Sequence, residues 1–184
     1  MMVGELRAQL VAAGARLTAA GLVRDSEGNL SGRIDPRSCV VTATGAVLGQ
    51  LRFAELVVLR LDSRQIPGRA TSEAGLHLDL YRRRTEVMAV VHAHPPAVLR
   101  LAREGRLPDR RKLEEGEQLF GRVVEVAHFE EGSSALAEAV VSALDEASAC
   151  VLLGHGAVTV GASVEQALRR LLYLERAAAR TLEA

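Results

Sequence analysis

Apolar residues at Val3, Leu6, Leu10, Ala13 and Leu17 recur at steps of three and four. That spacing lines one face of a helix and predicts an amphipathic helix over Val3 to Ala20. From Leu30 to Leu61 the pattern changes to short β-rich runs, Cys39 to Thr42 and Leu56 to Leu61, punctuated by Gly32, Asp35-Pro36, Gly45 and Gly49. Such runs read as strands and turns. Beyond the Pro67-Gly68 turn, Thr71 and Ser72 are placed to cap a helix from about Glu73 to Arg83. An apolar strand from Met88 to His92 or beyond then ends at Pro95-Pro96, followed by a helix to about Glu104 and a polar surface loop, Arg103 to Gln118, with one turn of helix. Val123 to Ala127 reads as a strand and Ser133 to Glu146 as a serine-capped helix. Cys150 to Leu153 and Ala157 to Val160 read as strands around Gly154 and Gly156, and Val164, Ala167, Leu168, Leu171 and Leu172 define a closing helix. Helices interleaved with short strands predict an α/β layered domain with helices on both faces of a sheet. Periodicity leaves parallel and antiparallel pairing open.

A length of 184 residues suits one domain, 1–184, and no internal repeat or low-complexity linker divides it. Basic and acidic residues balance at 23 each, so no overall field recruits nucleic acid or an anionic membrane, and an anionic ligand must be held locally. Apolar runs are too short to span a bilayer and the N-terminus does not read as a signal peptide, which leads to the expectation of a cytoplasmic protein. Cys39 and Cys150 read as reduced core thiols rather than a disulfide framework. Lys112 is the chain's one lysine and lies in the charged run Asp109 to Glu117, where water keeps its amine protonated; Schiff-base chemistry is therefore not expected.

The strongest chemical signal is His92-Ala93-His94 at the end of an apolar strand. Alternation puts the two imidazoles on one face, where they can share an ion. His155, between Gly154 and Gly156 in a turn leaving another apolar strand, offers a third imidazole with small neighbours that permit close approach. Three neutral imidazoles with an open fourth position is the arrangement zinc uses for catalysis. Glu73 is the fourth candidate, although the preference of carboxylates for helix N-termini explains its position equally well. His77, one turn beyond Glu73, reads as a satisfied core histidine ahead of a supporting partner of the site, and His128 has no partner in sight. For anions, Gly28-Asn29-Leu30-Ser31-Gly32-Arg33 reads as a glycine-bracketed loop entering a strand, Thr44-Gly45 pairs a hydroxyl with flexible backbone, and Thr71-Ser72 adds hydroxyls at a helix start. Each also reads as an ordinary turn or cap. Neither a Walker loop nor a dinucleotide fingerprint is present.

Taken in order, GNLSGR (Gly28 to Arg33), TATG (Thr42 to Gly45), TSEAGLHLDLYRRRTEVMAVVHAHPPAV (Thr71 to Val98) and VLLGHGAVTVGASVEQAL (Val151 to Leu168) resemble the class II aldolase/adducin family over nearly the whole chain. The resemblance implies a three-layer α/β/α domain with a largely antiparallel central sheet, assembled as a homotetramer. It implies Zn2+ held by His92, His94 and His155, with Glu73 as catalytic acid/base that approaches the metal in the absence of substrate. It places the substrate phosphate at Asn29, Thr44, Gly45, Thr71 and Ser72. The implied activity is reversible cleavage of a sugar phosphate, such as L-fuculose 1-phosphate, into dihydroxyacetone phosphate and a short aldehyde. A divalent ion there stabilises the charge left on an enediolate when the carbon–carbon bond breaks, and so substitutes for a Schiff-base lysine.

The sequence departs from the family pattern in three places. Lys112 to His128 contains no tyrosine to match the family's proton donor, the family's tyrosine-bearing tail has no counterpart up to Ala184, and Gly154 precedes His155 where an asparagine is usual. A pentulose-phosphate 4-epimerase or a sugar-phosphate dehydratase of the same family therefore stays open beside the aldolase. A non-catalytic adducin-like scaffold is the reading from a different class; it would be expected to lose metal ligands, whereas Glu73 and the three histidines are all present.

Overall fold

Strands buried on both faces need a helical layer on each side, and the strands Ala89–Ala93, Ala149–Leu152 and Gly156–Gly161 are buried at every position. The computed structural model describes residues 2–63, 65–113, 119 and 121–183. Its elements run α1 (Val3–Ala19), β1 (Asn29–Asp35), β2 (Ser38–Thr42), β3 (Leu56–Arg60), α2 (Ala74–Arg83), β4 (Ala89–Ala93), α3 (Pro96–Arg103), β5 (Val123–Val126), α4 (Ser134–Ala143), β6 (Ala149–Leu152), β7 (Gly156–Gly161) and α5 (Val164–Leu182). The strands form a 7-stranded sheet in the order β3-β2-β1-β4-β7-β6-β5. Every neighbouring pair is antiparallel except β5 and β6, which are joined by the crossover helix α4, as a parallel pair requires. The pairing that periodicity left open is thus largely antiparallel.

Alternation along the strands sends side chains into two separate cores. Ala89, Val91 and Ala93 of β4 join Leu6, Leu10 and Leu17 of α1, Val98 and Leu101 of α3, and Leu168 and Leu171 of α5. Val90 joins Leu76, Leu80 and Tyr81 of α2 and Leu136 and Val140 of α4. His92, two residues after Val90, points to the α2 and α4 side. The chain is therefore a three-layer α/β/α domain. Cys39 and Cys150 are free and buried as expected, and burial pushes each thiol up to about 12.

Two local readings are corrected. The segment Gly28 to Arg33 is not a loop: Asn29 to Arg33 lies inside β1, and only Gly28, at φ +72°, belongs to the turn. Gly32 serves packing, because a Cβ there would lie 2.6 Å from Leu6 Cδ1 of α1. Neither Thr71 nor Ser72 caps α2; Glu73 itself occupies the N-cap position without a side-chain capping bond, since its carboxylate is turned inward. Ser133 and Ser163 do cap α4 and α5, accepting from the Leu136 and Gln166 amides. The predicted surface loop Arg103 to Gln118 lies partly outside the described residues; within them, Arg110–Lys112 forms a single 3-10 turn.

Candidate metal centre

Sheet register brings the distant residues together. His92 pairs with Asn29 of β1 on one side and Val158 of β7 on the other. His94 follows directly beyond β4, and His155 sits in the tight turn between β6 and β7, its amide bonded to the Leu152 carbonyl. One ring nitrogen from each of His92, His94 and His155 lies within 4.8 Å of the others. Ring centroids are 4.7 to 5.3 Å apart. Gly156 is what lets the rings converge: a Cβ there would lie 2.5 Å from the Ala93 carbonyl oxygen, 2.8 Å from His94 Cδ2 and 3.0 Å from His92 Cε1.

Glu73 stands beside the group. Its Oε2 lies 3.3 Å from His92 Nε2 and its Oε1 3.8 Å from His155 Nε2, while His92 and His94 Nε2 are 3.3 Å apart. Ligands about 2.0–2.1 Å from a tetrahedral zinc are separated by roughly 3.3 Å, so these spacings fit a shared ion. The orphaned atoms fit it too: Glu73 Oε1 and His155 Nδ1 are buried without hydrogen-bond partners, a costly condition that a cation at Oε1 relieves. His92 Nδ1–H donates to the Ala157 carbonyl at 3.1 Å, which leaves the Nε2 lone pair directed at the group. Glu27 Oε2 stands 3.6 Å from His94 Nδ1 in the equivalent supporting place.

Burial lowers the pKa of His92 to about 4 and that of His155 below its ordinary value, against the opposing pull of Glu73. Both rings are therefore neutral at pH 7, as ligands must be. Burial also resists ionisation of Glu73, but His92, the Asn29 amide, His155 and His77 together hold its carboxyl below the usual carboxylate range.

Behind Glu73 runs a buried hydrogen-bonded chain. Tyr81 hydroxyl donates to Ser31 Oγ at 2.7 Å and Ser31 Oγ to His77 Nδ1 at 2.6 Å. His77 Nε2–H then donates to Asn29 Oδ1 at 2.5 Å, and Asn29 Nδ2 to Glu73 Oε2 at 2.6 Å. These directions follow from a neutral His77, whose pKa burial lowers to about 4. His77 is thus a core histidine and a supporting partner of the site at once. Asn29, expected at the phosphate, has its side chain turned toward Glu73, with its second Nδ2 hydrogen left over.

The remaining anion-binding candidates lie side by side. Thr44 N donates to the Arg69 carbonyl, Thr71 N to the Thr42 carbonyl, and Ala43 bridges Ala70, so the Thr44-Gly45 turn flanks Thr71-Ser72 just ahead of Glu73. Thr44, Gly45 and Ser72 are exposed, and Gly45, at φ +69°, has open space beside it. Thr71 is buried and its Oγ1 accepts from the Glu73 amide at 3.4 Å. A cleft of about 190 Å³ between the starts of α2 and α4 is lined by Ser72, Glu73, Gly132 and Ser133 among others. Sequence reasoning missed Glu27 and Glu131, and it read Ser31 as part of an anion-binding segment and Tyr81 as a helix-face residue rather than as members of the buried hydrogen-bonded chain. Glu131, 3.6 Å from His155 Nε2, stands in a loop without periodicity and left no signal.

The family model for the class II aldolase and adducin N-terminal domain matches residues 8–182. The L-fuculose phosphate aldolase of Methanococcus maripaludis is 32% identical over 155 residues, 83% of each chain. A 3-oxo-tetronate 4-phosphate decarboxylase of Haemophilus influenzae is 29% identical over 82% of this chain and 74% of its own. The methylthioribulose-1-phosphate dehydratase of Methylococcus capsulatus is 32% identical over 91% of this chain and 88% of its own. Among solved structures, the L-fuculose-1-phosphate aldolase of Thermus thermophilus superposes with a TM-score of 0.88 at 29% identity, covering 98% of this chain and 94% of that one. With the sheet order, the converging imidazoles and these likenesses in agreement, the chain belongs to the class II aldolase and adducin N-terminal domain family.

Proposed function

We propose that the protein is a zinc-dependent aldolase that reversibly cleaves a sugar phosphate such as L-fuculose 1-phosphate into dihydroxyacetone phosphate and L-lactaldehyde. The observation that carries this reading is the convergence of three imidazole nitrogens and a carboxylate whose buried Oε1 has no partner. His92, His94 and His155 would hold the ion. When bound, a divalent ion supplies Lewis acidity that polarises a carbonyl and adjacent hydroxyl oxygen and stabilises the charge that develops there. In the cleavage direction Glu73 takes the proton from the hydroxyl on the carbon that becomes the aldehyde and delivers it to the carbon left with the electron pair; in condensation the proton runs from that carbon back to the oxygen. Its removal from bulk water and its anchoring through Asn29 keep one oxygen fixed and the other free for that transfer. Exposed Thr44, Gly45 and Ser72, with buried Thr71 and the second Asn29 Nδ2 hydrogen, bind the phosphate by hydroxyl and backbone donors and so position the reacting carbons. A homotetramer in the cytoplasm belongs to the same proposal; no helix of the described residues is long and apolar enough to cross a membrane.

One observation favours a second reading, a dehydratase or 4-epimerase. Tyr81 is spent on Ser31 in the core and the Tyr173 ring on α5 packs against the guanidinium groups of Arg169 and Arg176, so the hydroxyl of Tyr81 is not free to act as proton donor at the site. The test is zinc-loaded protein offered ketose 1-phosphates, with released aldehyde captured by a coupled reductase. The aldolase reading expects zinc-dependent aldehyde release. A stoichiometrically loaded sample that consumes substrate without releasing aldehyde overturns it in favour of the second reading.

A further inference from the structure

The loop between β5 and α4 is clamped against the metal centre from two sides. Gly132 has a φ of +72°, and a Cβ there would lie 3.1 Å from the Ser72 carbonyl oxygen, so the loop approaches the Glu73 segment as closely as glycine allows. The Ser133 amide donates to the Glu130 carbonyl and the Ser133 hydroxyl accepts from Leu136, which fixes the loop at the start of α4. On the other side His128 Nδ1 donates to the Leu153 carbonyl at 3.3 Å, and the Leu153 amide donates to the Val126 carbonyl, tying the loop to the turn that carries His155.

Glu131 stands between these anchors. Its Oε1 is 3.6 Å from His155 Nε2, and Glu73 Oε1 is 3.8 Å from the same nitrogen. Two carboxylates therefore face one imidazole nitrogen, each at a separation close to the roughly 3.3 Å edge of a tetrahedral zinc site. The three imidazoles alone have ligand atoms within 4.8 Å of one another, so Glu131 joins them by turning in from its loop. Among the described residues no arginine lies within ion-pair distance of Glu131, and the neutral His155 ring gives its carboxylate no charge partner. The two carboxylates differ in freedom: Glu73 is 6% exposed and held by Asn29, whereas Glu131 is 70% exposed and free to turn.

We propose that Glu131 is a second carboxylate ligand of the metal centre, reaching a divalent cation from the solvent side beside His155 so that Glu73 is released for proton transfer. This rests on the metal-binding part of the proposed function. A carboxylate that merely lay beside the His155 ring in solvent would leave the cation's affinity nearly unchanged on its removal, because exposed charges act weakly and are solvent-screened. A ligand would not.

The experiment measures zinc affinity by competition with a chromophoric chelator, and the visible absorption of the cobalt-substituted protein, for wild type, Glu131→Gln and Glu130→Gln. Glu130→Gln removes the same charge one residue away and controls for electrostatics at a distance; circular dichroism verifies that each variant is folded. Glu131→Gln is expected to weaken zinc binding by at least about tenfold and to alter the cobalt spectrum, with Glu130→Gln staying within about twofold of wild type. An equal loss in Glu130→Gln, or a cobalt spectrum unchanged by Glu131→Gln, overturns the assignment while leaving the histidine site intact. Wild-type protein that holds no stoichiometric zinc or cobalt overturns the metal reading itself.

Discussion

The side-chain amide of Asn29 stands between His77 and Glu73, accepting from one at 2.5 Å and donating to the other at 2.6 Å. One carboxylate oxygen of Glu73, Oε2, is thereby fixed beside His92, and the other, Oε1, faces His155. Asn29→Ala leaves Glu73 ionised but able to rotate away. Turnover is expected to fall by about 10²-fold, a fraction of what loss of the acid/base itself costs, with zinc affinity nearly unchanged. Steady-state kinetics beside a chelator titration checks this; zinc loss in step with turnover would give Asn29 a different role.

Ser31 is fully buried and shared by Tyr81 and His77. Ser31→Ala strips both of that partner, and a buried unsatisfied group costs about 1–3 kcal/mol. Urea unfolding of chelator-treated protein is expected to register a loss of that order, and Tyr81→Phe added to it should cost less than Tyr81→Phe alone. Strict additivity in the double-mutant cycle would show that the hydrogen-bonded chain carries no coupling.

Glu73→Gln keeps the three imidazoles in place but removes the transferable proton. The expected outcome is retained zinc with turnover reduced by about 10²–10⁴-fold. Undiminished turnover would refute the assigned role.

Gly156→Ala introduces a methyl group into the space where the Ala93 carbonyl, His94 and His92 meet, at 2.5 to 3.0 Å. Backbone on one side and two ligand rings on the other prevent easy relief. Zinc affinity should drop by at least about tenfold, with a lower melting temperature even in metal-free protein. Wild-type affinity in this variant would mean that the rings sit further apart than described.

Metal-free protein should lose stability on acidification. Burial lowers His77 and His92 to about 4, from the ordinary imidazole value near 6.5. As pH falls below 6.5 the unfolded chain gains protons that the folded chain refuses until near pH 4, so unfolding is favoured across that window by up to roughly 1.4 kcal/mol per pH unit for each group. Chemical unfolding of chelator-treated wild type and His77→Gln between pH 7 and 4 tests the sign: the variant should show the shallower slope.

Periodicity located the helices to within a few residues where one face is apolar and the other polar, as in α1 and α5, because burial of one stripe is recorded directly in spacing. It failed at Gly28 to Arg33, where polar and glycine residues mimic a loop although they occupy a central strand. Ser31 and Arg33 are buried there because partners from α2 and its following turn satisfy them, and those partners are distant in sequence.

The sequence by itself determined the donor types of the site, the shared face of His92 and His94, and the α/β layering, since each follows from local alternation and residue chemistry. Only the tertiary structure decided that His155 meets them, that the sheet is mostly antiparallel, that Asn29 serves Glu73, and that Glu131 reaches the same imidazole. Those relationships arise from register between strands and from glycine-permitted approaches of backbone to backbone, at Gly156 and Gly132. Long-range contacts of this kind depend on how faces pack, which no short stretch of residues encodes alone.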